Sequence, residues 1–406
     1  MFYLDLFIIF LGGALILFLL SKIKVPSLIG YLLIGILIKN IGLLDPTLEA
    51  ISPMLRKIAL LIILIKAGLS LNISDLKKVG RPAIMMSFLP AVIEMVTIGL
   101  IGPLIFPITH VESFLLGSIV GAVSPAVVIP MMSKLIEQKY GTKKCIPQLV
   151  LAGSSIDDIV MIVFYQTFLN IESGGNINAL SFLNVFISIV LGILIGVGLG
   201  FLFHFIFKKI KIRNTLKLLI FIALGIGLTC FENYVSKYVG FSSLLATIMM
   251  CLIYRYKNIE IANKLTLKAS KIWIPTEMIL FFLVGASIKI EYATKFILPS
   301  LLLLLISLIA RSIMVRLCII KTDLNFKEKI FVIVSYLPKA TVQASIGGGL
   351  LDLGNKLLNE GNGNAEAIIA SGIIVLSVSV LSILITAPLS SLFMNLTYDK
   401  LLEKEQ

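Results

Sequence analysis

Two adjacent carboxylates stand in the middle of an apolar run in the stretch Ala152-Gly153-Ser154-Ser155-Ile156-Asp157-Asp158-Ile159-Val160-Met161-Ile162-Val163. The run is long enough to cross a bilayer as a helix. Each ionised side chain at that depth costs about 2.5–3.5 kcal/mol on insertion scales, and such groups mostly line cavities for ions or protons. The stretch therefore predicts a membrane-embedded ion or proton site.

The composition supports a membrane protein. Of 406 residues, 58% are hydrophobic and 14% are charged, whereas about a quarter of a soluble domain is charged. Apolar runs of about 20 residues recur, without the alternation of a transmembrane barrel, so we expect an all-α polytopic membrane protein. The net charge is +13, and the basic residues lie mostly in short loops, where they set topology. We therefore expect membrane lipid as a partner, and no nucleic acid.

Hydropathy predicts about 13 transmembrane helices. The predicted segments are roughly 5–21, 25–43, 57–72, 82–106, 113–134, 148–170, 180–207, 215–232, 240–254, 273–289, 296–319, 328–350 and 365–395. The Lys and Arg residues are concentrated in the loops on one side of these segments. This asymmetry predicts an extracellular N-terminus and a cytoplasmic C-terminus, in a multi-pass protein of the cell (inner or plasma) membrane.

A weak internal likeness links segments that are seven apart. Pro26–Gly35 resembles Ser242–Cys251, and Ala67–Leu71 resembles Val284–Ile288. An odd offset means that the two copies cross the membrane in opposite directions, which predicts inverted six-helix repeats over about 1–170 and 215–396, joined by a helix at about 180–207. Chance similarity is the alternative.

Two predicted segments are interrupted at corresponding positions. Segment 5 contains Pro125 and Pro130, and segment 12 contains Pro338. Proline removes a backbone donor and clashes with the preceding turn, so we expect two crossed broken helices, which in transporters surround a midplane site. Ser124 and Thr341 lie beside the breaks and are candidate hydroxyl ligands. Ordinary proline kinks are the alternative.

Asp157 and Asp158 are the candidate ligands for a transported monovalent cation and for protons. As helix neighbours they point about 100° apart, so only one of them faces a given cavity squarely. A carboxylate binds either a small cation or a proton at full strength, and this competition is the basis of exchange. The alternative is a structural role, with both aspartates satisfied by the hydroxyls of Ser154 and Ser155.

Three other charges lie within predicted segments. Arg311 and Glu94 are both near mid-depth on segments 11 and 4, which are repeat mates, so a Glu94–Arg311 pair would offset the cost of burying both. Lys339 follows Pro338 at the second break. We expect it to neutralise the partial negative charge at half-helix C-terminal ends, a structural role that we favour over direct ion contact.

These motifs resemble the monovalent cation:proton antiporter superfamily over nearly the full chain. Asp157-Asp158 is similar to the paired-aspartate motif of the branch that includes bacterial and animal sodium/proton antiporters. Gly121–Pro130 is similar to the first broken helix of that branch, and Ser335–Ser345 is similar to the second. The resemblance implies that Asp158 carries the ion and the proton, with Asp157 beside it at the site.

The resemblance also implies an assembly and a mode of movement. It implies a homodimer in which a core bundle, about 82–170 and 296–396, moves in the manner of an elevator. The dimerisation or scaffold part would come from about 1–72 and 180–289.

The basic residue at the site departs from the family pattern. Arg311 occupies the place where other paired-aspartate members carry a lysine that pairs with the first aspartate. Arginine does not release its proton in proteins. The resemblance therefore does not imply, for this chain, that the basic partner carries a second proton. Nor does it imply the electrogenic exchange that depends on that proton.

The sequence thus predicts a secondary active antiporter that exchanges sodium or lithium for protons by alternating access. No enzymatic activity and no cofactor are expected. A potassium/proton antiporter of the same fold, an ion channel or sensor, and an intramembrane aspartyl enzyme are the alternatives. The enzyme is disfavoured, because such a dyad shares one proton between two facing carboxylates, whereas Asp157 and Asp158 are adjacent on one helix.

Overall fold

A computed structural model describes residues 2–23, 26–70, 80–173, 179–210, 212–235, 240–288 and 290–405. These residues are mostly helical, with one antiparallel β-bridge between Tyr140 and Lys404. A π-helical turn, Ile8–Gly12, joins the first two helices. The helices are α1 Phe2–Phe7, α2 Gly13–Ile23, α3 Ser27–Asn40, α4 Pro46–Ser70, α5 Arg81–Met86, α6 Leu89–Ile105, α7 His110–Val120, α8 Pro125–Glu137, α9 Ile146–Glu172, α10 Ala179–Lys209, α11 Asn214–Val235, α12 Ser243–Lys257, α13 Ile259–Ala286, α14 Ile290–Cys318, α15 Phe326–Ser335, α16 Thr341–Ile346, α17 Gly349–Asn359 and α18 Ala365–Leu401.

Helices overlap all thirteen predicted segments. Among the described residues, eight stretches are long and apolar enough to cross a membrane, which makes this a multi-pass membrane protein. Others are shorter, such as α3, so the number of 13 spans stays a prediction. Helix α4 begins at Pro46 rather than at residue 57, and α18 continues to Leu401, because a helix can extend beyond the apolar part that hydropathy marks.

Both predicted helix interruptions are confirmed. Helix α7 ends at Val120 and α8 begins at Pro125, while α15 ends at Ser335 and α16 begins at Thr341. Pro125 occupies the first turn of α8, where its missing N–H costs nothing. Pro130 lies inside α8 without ending it, so one of the two prolines, and not both, marks the first break.

The chain divides into two compact units. The first comprises Met1–Arg56, Ser74–Ser173 and Met278–Gln406, and it contains both breaks and every predicted site residue. The second comprises Lys57–Ile73 and Gly174–Glu277, and its core includes edge-to-face contacts among Phe207, Phe221 and Tyr254, with ring centroids 5.1–5.9 Å apart. The predicted inverted repeats and the division into core and dimerisation parts stay predictions.

Glycines allow α7 to approach α6 closely in the first unit. A Cβ atom at Gly117 would lie 2.6 Å from the carbonyl oxygen of Met95, and one at Gly121 would lie 3.0 Å from that of Ala91. Small residues permit such backbone contact between membrane helices. The approach places the first break beside the turn of α6 that carries Glu94.

Candidate ion-binding site

The two breaks contact each other directly. The backbone N–H of Ser124, in the first break, donates a hydrogen bond to the carbonyl of Pro338, in the second, at 2.8 Å. Interrupted helices leave backbone groups without partners in their own helix. The contact therefore brings together two sets of helix ends whose polar groups need partners from elsewhere.

Arg311, from α14, supplies donors to both breaks. Its Nε donates to the carbonyl of Tyr336 at 2.6 Å, and its Nη1 donates to the carbonyl of Gly121. The guanidinium carries five donors in a rigid fork and accepts none, which suits it to bridging several carbonyl oxygens. Arg311 thereby fixes the separation of the two breaks.

The same guanidinium contacts two buried carboxylates. Arg311 Nη1 lies 2.6 Å from Glu94 Oε2, and Nη2 lies 3.2 Å from Asp157 Oδ2. Lys339 Nζ also donates to Glu94 Oε2, at 2.7 Å. All four side chains are fully buried. Glu94 therefore pairs with both Arg311 and Lys339, whereas Asp157 pairs with Arg311.

Lys339 has a different partner from the one expected. The sequence suggested that it would neutralise half-helix ends, but its ammonium contacts Glu94, and Arg311 contacts the carbonyls at the breaks. The backbone N–H of Lys339 donates to Thr386 Oγ1 at 2.8 Å, which ties the break to α18. A full carboxylate charge binds an ammonium more strongly than the partial charge of a carbonyl does.

Asp157 and Asp158 retain unpartnered oxygens. Asp157 Oδ2 accepts from the backbone N–H of Val123 at 3.2 Å as well as from Arg311. Among the described residues, none donates to Oδ1 of Asp157 or to Oδ1 of Asp158, and both atoms are buried. Ser154 does not satisfy either aspartate, since its hydroxyl donates to Leu151 O in its own helix; the side chain of Ser155 lies outside the described residues.

The hydroxyls of Ser124 and Thr341 are in the same condition. Both side chains are buried, and their oxygens have no hydrogen-bond partner within the described part of the chain. Leaving such an atom unpaired costs about 1–3 kcal/mol. Carboxylate and hydroxyl oxygens are hard ligands, so the arrangement has the chemistry of a site for a small hard cation.

Gln343 lies within the Ser335–Ser345 motif, and the sequence assigned it no role. Its amide Nε2 donates to the carbonyls of Ile119 and Ala122, at 2.9 and 3.0 Å. It therefore caps the C-terminal end of α7 from across the contact between the breaks. A buried amide beside the second break was the available indication, but the sequence does not show which carbonyls face it.

Tyr336 is a second residue that sequence reasoning missed. Its ring passes close to α9, where a Cβ atom at Gly153 would lie 1.7 Å from the Tyr336 hydroxyl. That hydroxyl donates to the carbonyl of Met86 at 3.2 Å. Gly153, one turn before Asp157, is thus needed to bring the aspartate helix against the second break.

Known proteins resemble this chain in sequence or in fold. Residues 6–394 match the family described as "Sodium/hydrogen exchanger, transmembrane". Sodium/hydrogen exchanger 9B2 of Xenopus tropicalis is 35% identical, over 98% of this chain and 73% of its own length. The human protein of the same name is 32% identical, over 93% of this chain and 70% of its own length.

A solved structure has the same fold. The sodium proton antiporter MjNhaP1 from Methanocaldococcus jannaschii superposes with a TM-score of 0.84, covering 98% of this chain and 97% of its own, at 20% identity. The likeness at that identity concerns the fold. The family match and the 9B2 relatives concern the sequence, and by them the chain belongs to the sodium/hydrogen exchanger family.

Proposed function

We propose that this chain exchanges sodium or lithium for protons by alternating access, with Asp157 and Asp158 as the shared site. The observation that carries the proposal is the set of buried, unpartnered carboxylate and hydroxyl oxygens where two broken helices meet. Members of this family are transporters, so the intramembrane aspartyl enzyme is set aside. A carboxylate that holds either the cation or a proton makes the two fluxes depend on each other.

The proposed ligands come from three elements. Asp157 Oδ1 and Asp158 Oδ1 come from α9, Ser124 Oγ from the first break, and Thr341 Oγ1 from the start of α16. Ligands on both breaks make the site depend on their mutual position. Selectivity among lithium, sodium and potassium then follows from ligand number and cavity shape.

The buried charges suggest a stoichiometry. Glu94, Asp157 and Asp158 carry three negative charges when ionised, against two positive charges on Arg311 and Lys339. The balance is −1, which one monovalent cation or one proton neutralises. Because a buried net charge is costly in a membrane, we propose that the site crosses with one cation or one proton, giving one-for-one, electroneutral exchange.

The proposed movement involves two parts of a homodimer. A core bundle of about 82–170 and 296–396 would carry the site across the membrane against a dimerisation part of about 1–72 and 180–289. The protein would lie in the cell membrane, with its N-terminus outside and its C-terminus in the cytoplasm.

Reconstitution into proteoliposomes tests the proposal. A sodium pulse should release luminal protons at a saturating rate, and Asp158→Asn should abolish the release. Asp5→Asn is the matched control, because Asp5 is also fully buried but accepts from the backbone N–H of Asp45, away from the site.

Three outcomes would contradict it. Full activity of Asp158→Asn would remove the proposed site. A non-saturating current would favour the channel alternative. In a lithium, sodium and potassium series, proton release by potassium alone would favour the potassium/proton antiporter.

A further inference from the structure

We propose that Gln343 is a positioning residue for the cation site, acting on Asp157 through the peptide group between Ala122 and Val123. This inference rests on the proposed exchange function and adds a residue to its machinery. Gln343 is fully buried on α16, in the second broken helix, whereas the peptide belongs to the first break. The residue would therefore link the two broken helices to the aspartate on α9.

The orientation of the Gln343 amide is determined by its surroundings. Nε2 lies 2.9 Å from Ile119 O, 3.0 Å from Ala122 O and 3.4 Å from Val120 O. All three neighbours are acceptors, so the NH₂ group must face them, since the opposite assignment would set Oε1 against carbonyl oxygens. The amide thus gathers the carbonyls that α7 leaves free at its C-terminal end.

One of those carbonyls shares a peptide group with a donor to Asp157. The Ala122 carbonyl and the Val123 N–H belong to one planar unit. Its oxygen accepts from Gln343 Nε2 at 3.0 Å, and its N–H donates to Asp157 Oδ2 at 3.2 Å. In a trans peptide these groups point in opposite directions, so the two hydrogen bonds hold the plane from both sides and polarise each other.

The peptide needs this support because it lies outside any helix. Gly121–Ser124 separates α7 from α8, so no helical hydrogen bond fixes the plane of this peptide. Arg311 holds the preceding peptide through Gly121 O and leaves the orientation of the next one to Gln343. Losing the amide donor frees the plane to rotate, and Asp157 then loses one of its two donors and its fixed position.

The expected consequence is weaker cation binding. Asp157 is a proposed ligand through Oδ1, while Oδ2 is the atom that Val123 and Arg311 hold. A misplaced ligand raises the cation concentration needed for half-maximal exchange more than it slows the movement of a loaded site. A merely structural role would instead reduce the amount of folded protein without moving KM.

Gln343→Met provides the test, because methionine keeps the unbranched shape but has no donor. In proteoliposomes, per folded protein, we expect the KM for sodium to rise about five- to tenfold, the value of one buried hydrogen bond, with the maximal rate changed less. Gln343→Leu should behave alike. Ser345→Ala is the control: Ser345 is buried on the same helix, but its hydroxyl bonds Thr341 O within that helix.

The outcomes separate this inference from the proposed function. An inactive wild type would reject the exchange function itself. An active wild type with an unchanged KM in Gln343→Met would overturn the role of Gln343 alone. If Gln343→Met yields no folded protein, Gln343→Asn is measured instead. Its side chain is one methylene shorter and draws the donor back from Ala122 O, so an unchanged KM there would overturn the inference equally.

Discussion

Arg311 and Lys339 both donate to the same oxygen of Glu94. Arg311 Nη1 lies 2.6 Å and Lys339 Nζ 2.7 Å from Glu94 Oε2, and all three side chains are fully buried. Arg311 also contacts Asp157. Arg311, Lys339, Glu94 and Asp157 therefore form one connected network of ion pairs. The loss of one member changes the charge balance around the others.

Removing Arg311 should destabilise the protein strongly. Arg311→Ala leaves Asp157 unpaired and takes donors from both breaks, so we expect the free energy of unfolding to fall by about 3–5 kcal/mol. Adding Glu94→Ala should recover part of the loss, because it returns the balance of buried charges from −2 to −1. The recovery is limited, because Lys339 then loses its partner. Thermal unfolding in detergent measures this, with Lys356→Ala, an exposed member of a 3.8 Å pair with Glu360, as the control. Additive losses from the two substitutions would contradict the network.

The hydroxyls beside the breaks should contribute to cation affinity. Ser124→Ala and Thr341→Ala each remove an unpartnered buried oxygen, so folding should be little affected, while the KM for sodium should rise by about five- to tenfold if each is a ligand. Ser118→Ala is a matched control in the same broken helix, because its hydroxyl donates to Leu115 O within α7. An unchanged KM in both variants would remove the hydroxyls from the site.

The proposed stoichiometry predicts an effect of Lys339 on voltage dependence. With the balance at −1, exchange by the wild type should be insensitive to an imposed membrane potential. Lys339→Met takes the balance to −2, while Arg311 still pairs Glu94. Two bound protons then bring the balance to zero, whereas one bound cation leaves it at −1. The two loaded forms differ in charge, so exchange by the variant should respond to potential. Proton release would be followed at two imposed potentials, and a wild type that already responds would contradict one-for-one exchange.

Much of the fold followed from patterns that depend on local sequence. Apolar runs mark helices because the bilayer admits few other structures, and Pro125 and Pro338 mark breaks because they lack a donor. Hydropathy could not show that α4 begins at Pro46, nor that Pro130 would remain within α8. Those details depend on packing and on the polar ends of helices.

The sequence predicted which charged and hydroxyl side chains lie near the breaks, and the Glu94–Arg311 pair, but not the other contacts among them. Similar depth and the expected repeat relation brought Glu94 and Arg311 together as candidates, and the breaks brought in Ser124 and Thr341. The direction of the Lys339 side chain and the acceptors of the Gln343 amide depend on how two broken helices cross. That crossing is a tertiary relationship, and no spacing within either stretch encodes it.

The last prediction concerns pH and lies outside the membrane segments. Lys144, in the loop between α8 and α9, donates to Glu328 Oε2 at 2.8 Å, and Glu328 caps α15 through the backbone N–H of Asn325. The hydrogen bond to Glu328 raises the pKa of Lys144 above its ordinary value. A lysine whose pKa is raised by folding stabilises the fold below its ordinary pKa of about 10.4, and the contribution disappears as pH rises through the folded value.

Lys144→Met should therefore be less stable than the wild type by a constant amount, about 1 kcal/mol, from neutral pH to about pH 10. The difference in Tm should close at higher pH, because the wild-type lysine is then neutral as well. Lys143→Met, an exposed neighbour, should show no such difference. A gap between Lys144→Met and the wild type that widens with pH would contradict the ion pair as its cause, because deprotonation removes the charge from Lys144 and can only weaken its attraction to Glu328.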